Sequence, residues 1–322
     1  MRNHWSRREF LAASAAAGVA GVTLATARES RAMAFETELK KALIGKPTEE
    51  TLRSWKAAGF DGIESNDRGA SPDAAADARK LAEGLGMKIH SVLYGWANFN
   101  KSERFDADVA SVAASLRTCQ GYGAGALLLV PCRIGGMPMP QPWEFQIEFD
   151  KTTGHVKEVV KGDNAPYAEY IAAHNQAIDA SRRAVEKLIP TAEKTGVVIA
   201  LENVWNNLWV KPDIFAHFIA SFDSPWVQCY FDIGNHVKYA PPEKWIRALG
   251  KLIVRLHVKD FKLNPDGHGG NFVDIRDGSV NWPRVRKELD ALGGTQWMTV
   301  EGSGGLSLEE RSKRLDLIIA GE

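Results

Sequence analysis

The chain has 322 residues, 44% of them hydrophobic and 25% charged, and its 40 basic residues balance 40 acidic ones. That length and apolar share suit one large globular domain of the barrel size class and require no division into two. A formal charge of zero leaves no basic footprint, which argues against nucleic acid as a partner.

The first 34 residues read as a targeting segment. Ser6-Arg-Arg-Glu-Phe-Leu11 is a twin-arginine signature, residues 12–27 form a weakly hydrophobic run, and Ala32-Met-Ala34 suits cleavage before Phe35. The run holds too much Ala, Gly, Ser and Thr for a spanning helix. The chain is therefore expected to use the twin-arginine export machinery and to act in the periplasm as residues 35–322. Cleavage removes five arginines and two glutamates, which leaves 35 basic against 38 acidic residues. Cys119, Cys132 and Cys229 form no short-spaced pair and read as small core residues.

From residue 38 onward strand-like and helix-like segments alternate. Strands are expected over residues 40–44, 62–65, 88–94 and 126–131, with helices over 48–58, 74–85 and 108–122. Eight such βα units can be counted, which predicts an α/β fold of the closed (β/α)8 barrel type. One insertion breaks the rhythm after the fourth strand. Gly135-Gly-Met-Pro-Met-Pro-Gln-Pro142 is a rigid, non-helical start. Beyond it, residues 145–149 and 155–160 alternate around Lys151-Thr-Thr-Gly154 and predict a β-hairpin. A lid over the active site is the favoured role, and a contact in a homo-oligomer is the alternative.

Four later stretches organise the chain. Val197-Val-Ile-Ala-Leu-Glu-Asn-Val204, Val227-Gln-Cys-Tyr-Phe-Asp-Ile-Gly-Asn235, Ile253-Val-Arg-Leu-His-Val-Lys-Asp260 and Trp297-Met-Thr-Val-Glu-Gly302 are apolar runs carrying Glu202, Asp232, His257 and Glu301 near their ends. Each is followed by turn-forming or polar residues, so the four side chains fall at the carboxyl ends of successive strands, where a parallel barrel keeps its active site. Strand parity agrees. Arg255, His257 and Lys259 share one face while Val254, Leu256 and Val258 share the other, and Thr299 and Glu301 are separated likewise from Met298 and Val300. Three carboxylates and one imidazole make a fitting set for one divalent ion of the Mn, Co, Zn or Mg group.

These four motifs resemble the xylose-isomerase-like barrels, also called the sugar phosphate isomerase/epimerase or AP-endonuclease-2 superfamily. The resemblance covers roughly residues 40–320 and is stronger in the second half. It implies that Glu202, Asp232, His257 and Glu301 hold one divalent metal, and that Glu202 and Glu301 also act as paired acid/base groups on opposite faces of a substrate. Many of the family's epimerases place a substrate-binding His three residues after the Asp. Here Asn235 takes that position and His236 follows.

Other residues have two readings each. Lys259 shares the inward face of His257, where it could stabilise an oxyanion or simply pair with a carboxylate. His90 and Glu64, on earlier strands, could reach the barrel mouth, although a hydrogen-bonded core histidine is the plainer reading. Trp96, Trp143, Trp205 and Trp209 could face sugar C–H surfaces or pack loop bases. His268, in Gly267-His-Gly-Gly270, could touch substrate or solvent.

The chemistry that follows is proton abstraction α to a carbonyl, with a divalent ion stabilising the enediolate as a Lewis acid and two carboxyl groups moving the proton. No Gly-rich phosphate cradle or paired-Arg clamp stands in the loops after strands seven and eight, so an unphosphorylated keto sugar or sugar derivative is expected over a sugar phosphate. A 3-keto-glycoside lyase that expels an aglycone by β-elimination is the runner-up. A metal-dependent phosphodiesterase and a non-catalytic sugar-binding protein are the readings from other classes.

Overall fold

The computed structural model describes residues 35–322, so the export signal and cleavage site expected in residues 1–34 lie outside the described residues. Eight parallel strands close into a barrel. They are β1 (Glu38–Gly45), β2 (Gly62–Ser65), β3 (Lys88–Trp96), β4 (Ala126–Val130), β7 (Val198–Glu202), β8 (Val227–Asp232), β9 (Ile253–Val258) and β12 (Thr295–Val300). Each is followed by a helix: α1 (Glu49–Ala57), α2 (Pro72–Gly84), α3 (Ser102–Tyr122), α4 (Ala168–Thr195), α5 (Pro212–Ala220), α6 (Pro242–Leu249), α7 (Trp282–Asp290) and α8 (Leu308–Ala320). Strand β1 pairs with both β2 and β12, which joins the ends of the sheet and leaves it no open edge.

Local chemistry sets the boundaries. Thr48, Ser71 and Ser307 accept hydrogen bonds from the backbone N–H three residues on and so start α1, α2 and α8. Gly123 and Gly196 end α3 and α4 in the left-handed conformation, which glycine adopts without strain. Parity then sorts the side chains. Leu256, Val258, Met298 and Val300 pack between sheet and helices, while Thr299 and His257 point inward from adjacent positions of β12 and β9.

The interior is filled in layers. Deep inside, His90 stacks on Trp297 with ring centroids 4.5 Å apart and planes 4° apart. Gly62 lies against this stack because a Cβ there would come within 2.4 Å of the Trp297 ring. Above it the inward groups become polar, and they include Glu64, Asp232, His257 and Thr299, all fully buried. The packing around the barrel is dense, and Trp209 is fully buried against Phe215 and Phe218. Truncating such a residue typically costs about 3–5 kcal/mol. Trp209 is therefore a core residue and not a sugar platform. The three cysteines are free and buried, as their spacing suggested.

Two excursions leave the barrel. The first is the expected hairpin after β4, made of β5 (Glu148–Phe149) and β6 (Val156–Glu158) in antiparallel pairing. The hairpin itself packs along the helical wall. Val156 binds Asn175 of α4 through both backbone groups, Phe145 meets Tyr170 and Tyr239, and Phe149 meets His217 of α5. Its apolar side chains are thus spent on the helical wall. The second, in the loop expected after the seventh strand, is a hairpin of β10 (Asp260–Leu263) and β11 (Gly270–Val273). The Asp260 carboxylate ties it down by accepting hydrogen bonds from the backbone N–H groups of Phe261, Arg276, Gly278 and Val280 and from Trp282 Nε1. Gly278 fits under that carboxylate because a Cβ would stand 2.0 Å from Asp260 Oδ1.

Candidate metal centre

The carboxyl ends of β7, β8, β9 and β12 bring Glu202, Asp232, His257 and Glu301 together, with one ligand atom from each lying within 4.8 Å of all the others. His257 Nδ1 is 3.1 Å from both Glu202 Oε1 and Glu301 Oε2 and 4.0 Å from Asp232 Oδ2. The opposite ring nitrogen, Nε2, donates to Glu64 Oε2 at 2.7 Å, because a carboxylate can only accept. This fixes the ring with Nδ1 toward the three acids, the arrangement in which a second carboxylate orients a metal-ligating histidine. Glu64 is in turn held by the Tyr230 hydroxyl at 2.9 Å.

Asp232 is prepared in the same way. Its Oδ1 accepts from the backbone N–H groups of Gly234 and Asn235 at 2.8 and 2.7 Å. Asn203, the residue after Glu202, clamps its backbone by donating to Asp232 O at 2.8 Å and accepting from Asp232 N at 2.6 Å. Asp232 Oδ2 is buried and receives no hydrogen bond among the described residues, although the Lys259 ammonium stands 3.3 Å away. A buried carboxylate oxygen left open beside three other oxygen and nitrogen donors fits a divalent cation.

The charges are strongly interdependent. Burial pushes the Asp232 carboxyl up to about 7, against the pull of Lys259. Burial also raises Glu202, against its hydrogen bond and attraction to His257. Glu301 goes the other way: burial works to raise it, but His257 and Lys259 together hold it well below the usual carboxylate range. Glu301 differs from Asp232 in being a third exposed and only 2.7 Å from the Lys259 ammonium. Lys259 is itself raised, because Asp232 and Glu301 outweigh the penalty of its burial. His257 is raised as well, its burial opposed most by Glu64.

The remaining sequence candidates divide sharply. Asn235 turns inward and its Oδ1 accepts from Lys259 Nζ at 3.1 Å. Its Nδ2 is buried without a partner among the described residues. His236 points away, bonding Val204 O at 3.0 Å and packing against Tyr239 and Trp245, and burial depresses its pKa to about 3. The side chains of adjacent residues leave the chain in different directions, and here the inward place belongs to Asn235. His90 does not reach the mouth. It is fully buried under the site, 3.0 Å from Thr299 Oγ1, and burial lowers its pKa. His268 is exposed and stacks on Trp143 of the first insertion at 4.2 Å, apart from the metal cluster. Trp205 stands at the rim, where its Nε1 donates to Asn235 O and its ring lies 5.0 Å from Phe272. Glu64, which the sequence placed within reach of the barrel mouth, is a supporting residue, and Tyr230 and Asn203 are two more that sequence reasoning did not place. The inward parity that Tyr230 shares with Asp232 on β8 was the available signal.

A cleft of about 760 Å³ opens beside the cluster, with Lys259 and Glu301 on one side and the β10–β11 hairpin on the other. A parallel barrel with four convergent ligand types at its carboxyl face is the class of protein these observations define. Residues 52–316 match the family described as xylose isomerase-like TIM barrel, and the chain belongs to it. Solved structures share the fold. The 3-keto-D-glucoside 4-epimerase from E. coli, in its apo form, is 13% identical with a TM-score of 0.62, over 87% of this chain and 99% of that one. A xylose isomerase-like TIM barrel protein from Mycobacterium smegmatis in complex with magnesium is 20% identical with a TM-score of 0.57, over 85% and 87%. A D-psicose 3-epimerase in the presence of D-fructose is 13% identical with a TM-score of 0.58, over 85% and 89%. No curated protein sequence matches the chain.

Proposed function

We propose that the protein is a divalent-metal-dependent isomerase or epimerase of an unphosphorylated keto sugar or sugar derivative. The observation that carries this reading is the convergence of Glu202, Asp232, His257 and Glu301, with the open Asp232 Oδ2 among them. The magnesium bound by one structural relative and the sugar epimerases among the others support it. Those four residues would hold one ion of the Mn, Co, Zn or Mg group. When bound, such an ion supplies Lewis-acid stabilisation to negative charge developing on substrate oxygens.

The chain's own groups do the rest. Glu301, a third exposed to the cleft, takes a proton from the carbon next to the carbonyl, and Glu202, deeper and 7% exposed, serves the opposite face. Lys259 sets the charge balance between Asp232 and Glu301 and offers an ammonium to an oxyanion. Asn235 Nδ2 donates to a substrate hydroxyl, and Trp205 shields the rim. Asp232 and His257 act mainly as ligands. The twin-arginine signature gives a periplasmic location, consistent with a substrate that carries no phosphate.

The cleft beside Glu301 favours keeping one second reading, elimination of an aglycone from a 3-keto-glycoside, because the same proton abstraction starts both reactions. The test is to incubate the metal-supplemented protein with unphosphorylated ketoses and 3-keto-glucosides and to separate the products by chromatography. A new epimer or isomer supports the first reading, a released aglycone transfers the assignment to the second, and unchanged substrates throughout would defeat both.

A further inference from the structure

The β10–β11 hairpin forms one wall of the cleft beside the metal cluster. It presents Phe272, 43% exposed, along the cleft that begins at Lys259 and Glu301. Phe272 is not isolated: it forms an aromatic group with Trp205 and Phe261 at the cleft, and the Lys259 ammonium stands 5.1 Å from its ring centroid. Firmness is evident here: five hydrogen bonds converge on the Asp260 carboxylate. Gly270 adds to it, with φ of +148° and Lys262 O only 2.1 Å from where a Cβ would lie, so the turn accepts no ordinary side chain there. Phe272 is also braced by Trp205 at 5.0 Å and Phe261 at 5.2 Å.

The rest of the wall mixes Val273 and Gly302 with charged and hydroxyl side chains. Lys262, Asp274 and Ser303 line the cleft together with Phe272. One aromatic face among charged and hydroxyl groups is the chemistry that receives a pyranose ring, whose C–H face is apolar and whose edge is all hydroxyls. At about 760 Å³ the open cleft has room for a second ring beside one held at the cluster.

The geometry points to a second sugar subsite: the substrate is a keto-disaccharide whose reacting ring sits at the four-residue cluster while its other ring lies along Phe272 in this cleft. This rests on the proposed keto-sugar chemistry for the position of the reacting ring, and it adds the size and class of the substrate. Phe272 is then a specificity-determining residue and Lys262, Asp274 and Ser303 supply hydroxyl contacts.

The test measures binding, not turnover. Glucose and the glucose disaccharides of each linkage, none carrying the ketone, are titrated calorimetrically into the magnesium-supplemented protein. At least one disaccharide is expected to bind about tenfold or more tightly than glucose. Phe272→Ala should reduce that preference by about three- to tenfold, the worth of one aromatic contact, and Phe272→Trp should restore it. Phe272 is half in water, so the fold tolerates both changes, and circular dichroism checks this. Equal affinity for glucose and every disaccharide, or a preference unchanged in Phe272→Ala, would overturn the subsite. Failure of the chemistry would show separately, as disaccharide binding without conversion of any ketose.

Discussion

Replacing Glu64 by Gln keeps the side chain's shape and removes its charge. Glu64 Oε2 accepts from His257 Nε2 at 2.7 Å and from the Tyr230 hydroxyl at 2.9 Å, in a fully buried setting. A hydrogen bond to a charged partner contributes about 1.5–3 kcal/mol, and loss of a carboxylate behind a metal-ligating histidine weakens metal binding by about 10–100-fold, or ~1.4–2.7 kcal/mol. The two scales agree, so Glu64→Gln is expected to lose that 10–100-fold. The pH dependence sharpens the expectation. Burial of His257 disfavours its protonated form, but Glu64 and the neighbouring acids outweigh this and raise its pKa, so protons compete with metal at Nδ1. Removing the Glu64 charge eases that competition as well. The deficit should therefore be largest at alkaline pH and shrink as pH falls through the titration of His257. Calorimetric titration with manganese or zinc at several pH values measures it. A change below about threefold at the alkaline end, with an unaltered melting curve, would refute the role given to Glu64. Glu64→Ala is less informative, because it strands the His257 N–H and the Tyr230 hydroxyl at about 1–3 kcal/mol each.

Three further outcomes are expected. Glu301→Gln should lower turnover by about 10²–10⁴-fold while weakening metal binding much less; parallel losses would reduce Glu301 to a ligand. Lys259→Met removes a cation 3.3 Å from Asp232 and 2.7 Å from Glu301, so metal affinity should rise while kcat falls. Weaker metal binding in that variant would contradict the electrostatic role. Burial raises the Asp232 carboxyl to about 7, and it must ionise to ligate. Metal affinity of the wild type should thus increase as pH rises through 7, with proton release seen as a buffer-dependent heat, and a pH-independent affinity would count against it.

The four strand-end ligands were legible because each closes an apolar run, and the run itself sets the direction of the side chain. Parity reached as far as Lys259 and Thr299 for the same reason. Asn235 and His236 could not be separated, since the turn after β8 breaks the alternation that a strand would impose. His90 and Glu64 both point inward from neighbouring strands, yet one stacks on Trp297 beneath the site and the other supports His257. Their depth depends on the stagger of β2 and β3, which shifts register between Ile63 and Glu64. The second hairpin escaped notice because Asn264-Pro-Asp-Gly-His-Gly-Gly270 reads as loop from end to end, while the Asp260 hydrogen bonds that order it join residues as far as 22 positions away. The first hairpin was legible from its alternation around Lys151-Thr-Thr-Gly154, while its packing on α4 through Phe145 and Val156 is a tertiary fact.

Solvent deuterium incorporation, read by mass spectrometry with manganese-loaded protein lacking residues 1–34, tests the central claim most directly. Deuterium should enter the carbon next to the carbonyl of an unphosphorylated keto sugar or 3-keto-glycoside, and the exchange should vanish in Glu301→Gln. Metal bound at the cluster with no deuterium in any of these compounds would contradict proton abstraction and leave a binding protein in its place.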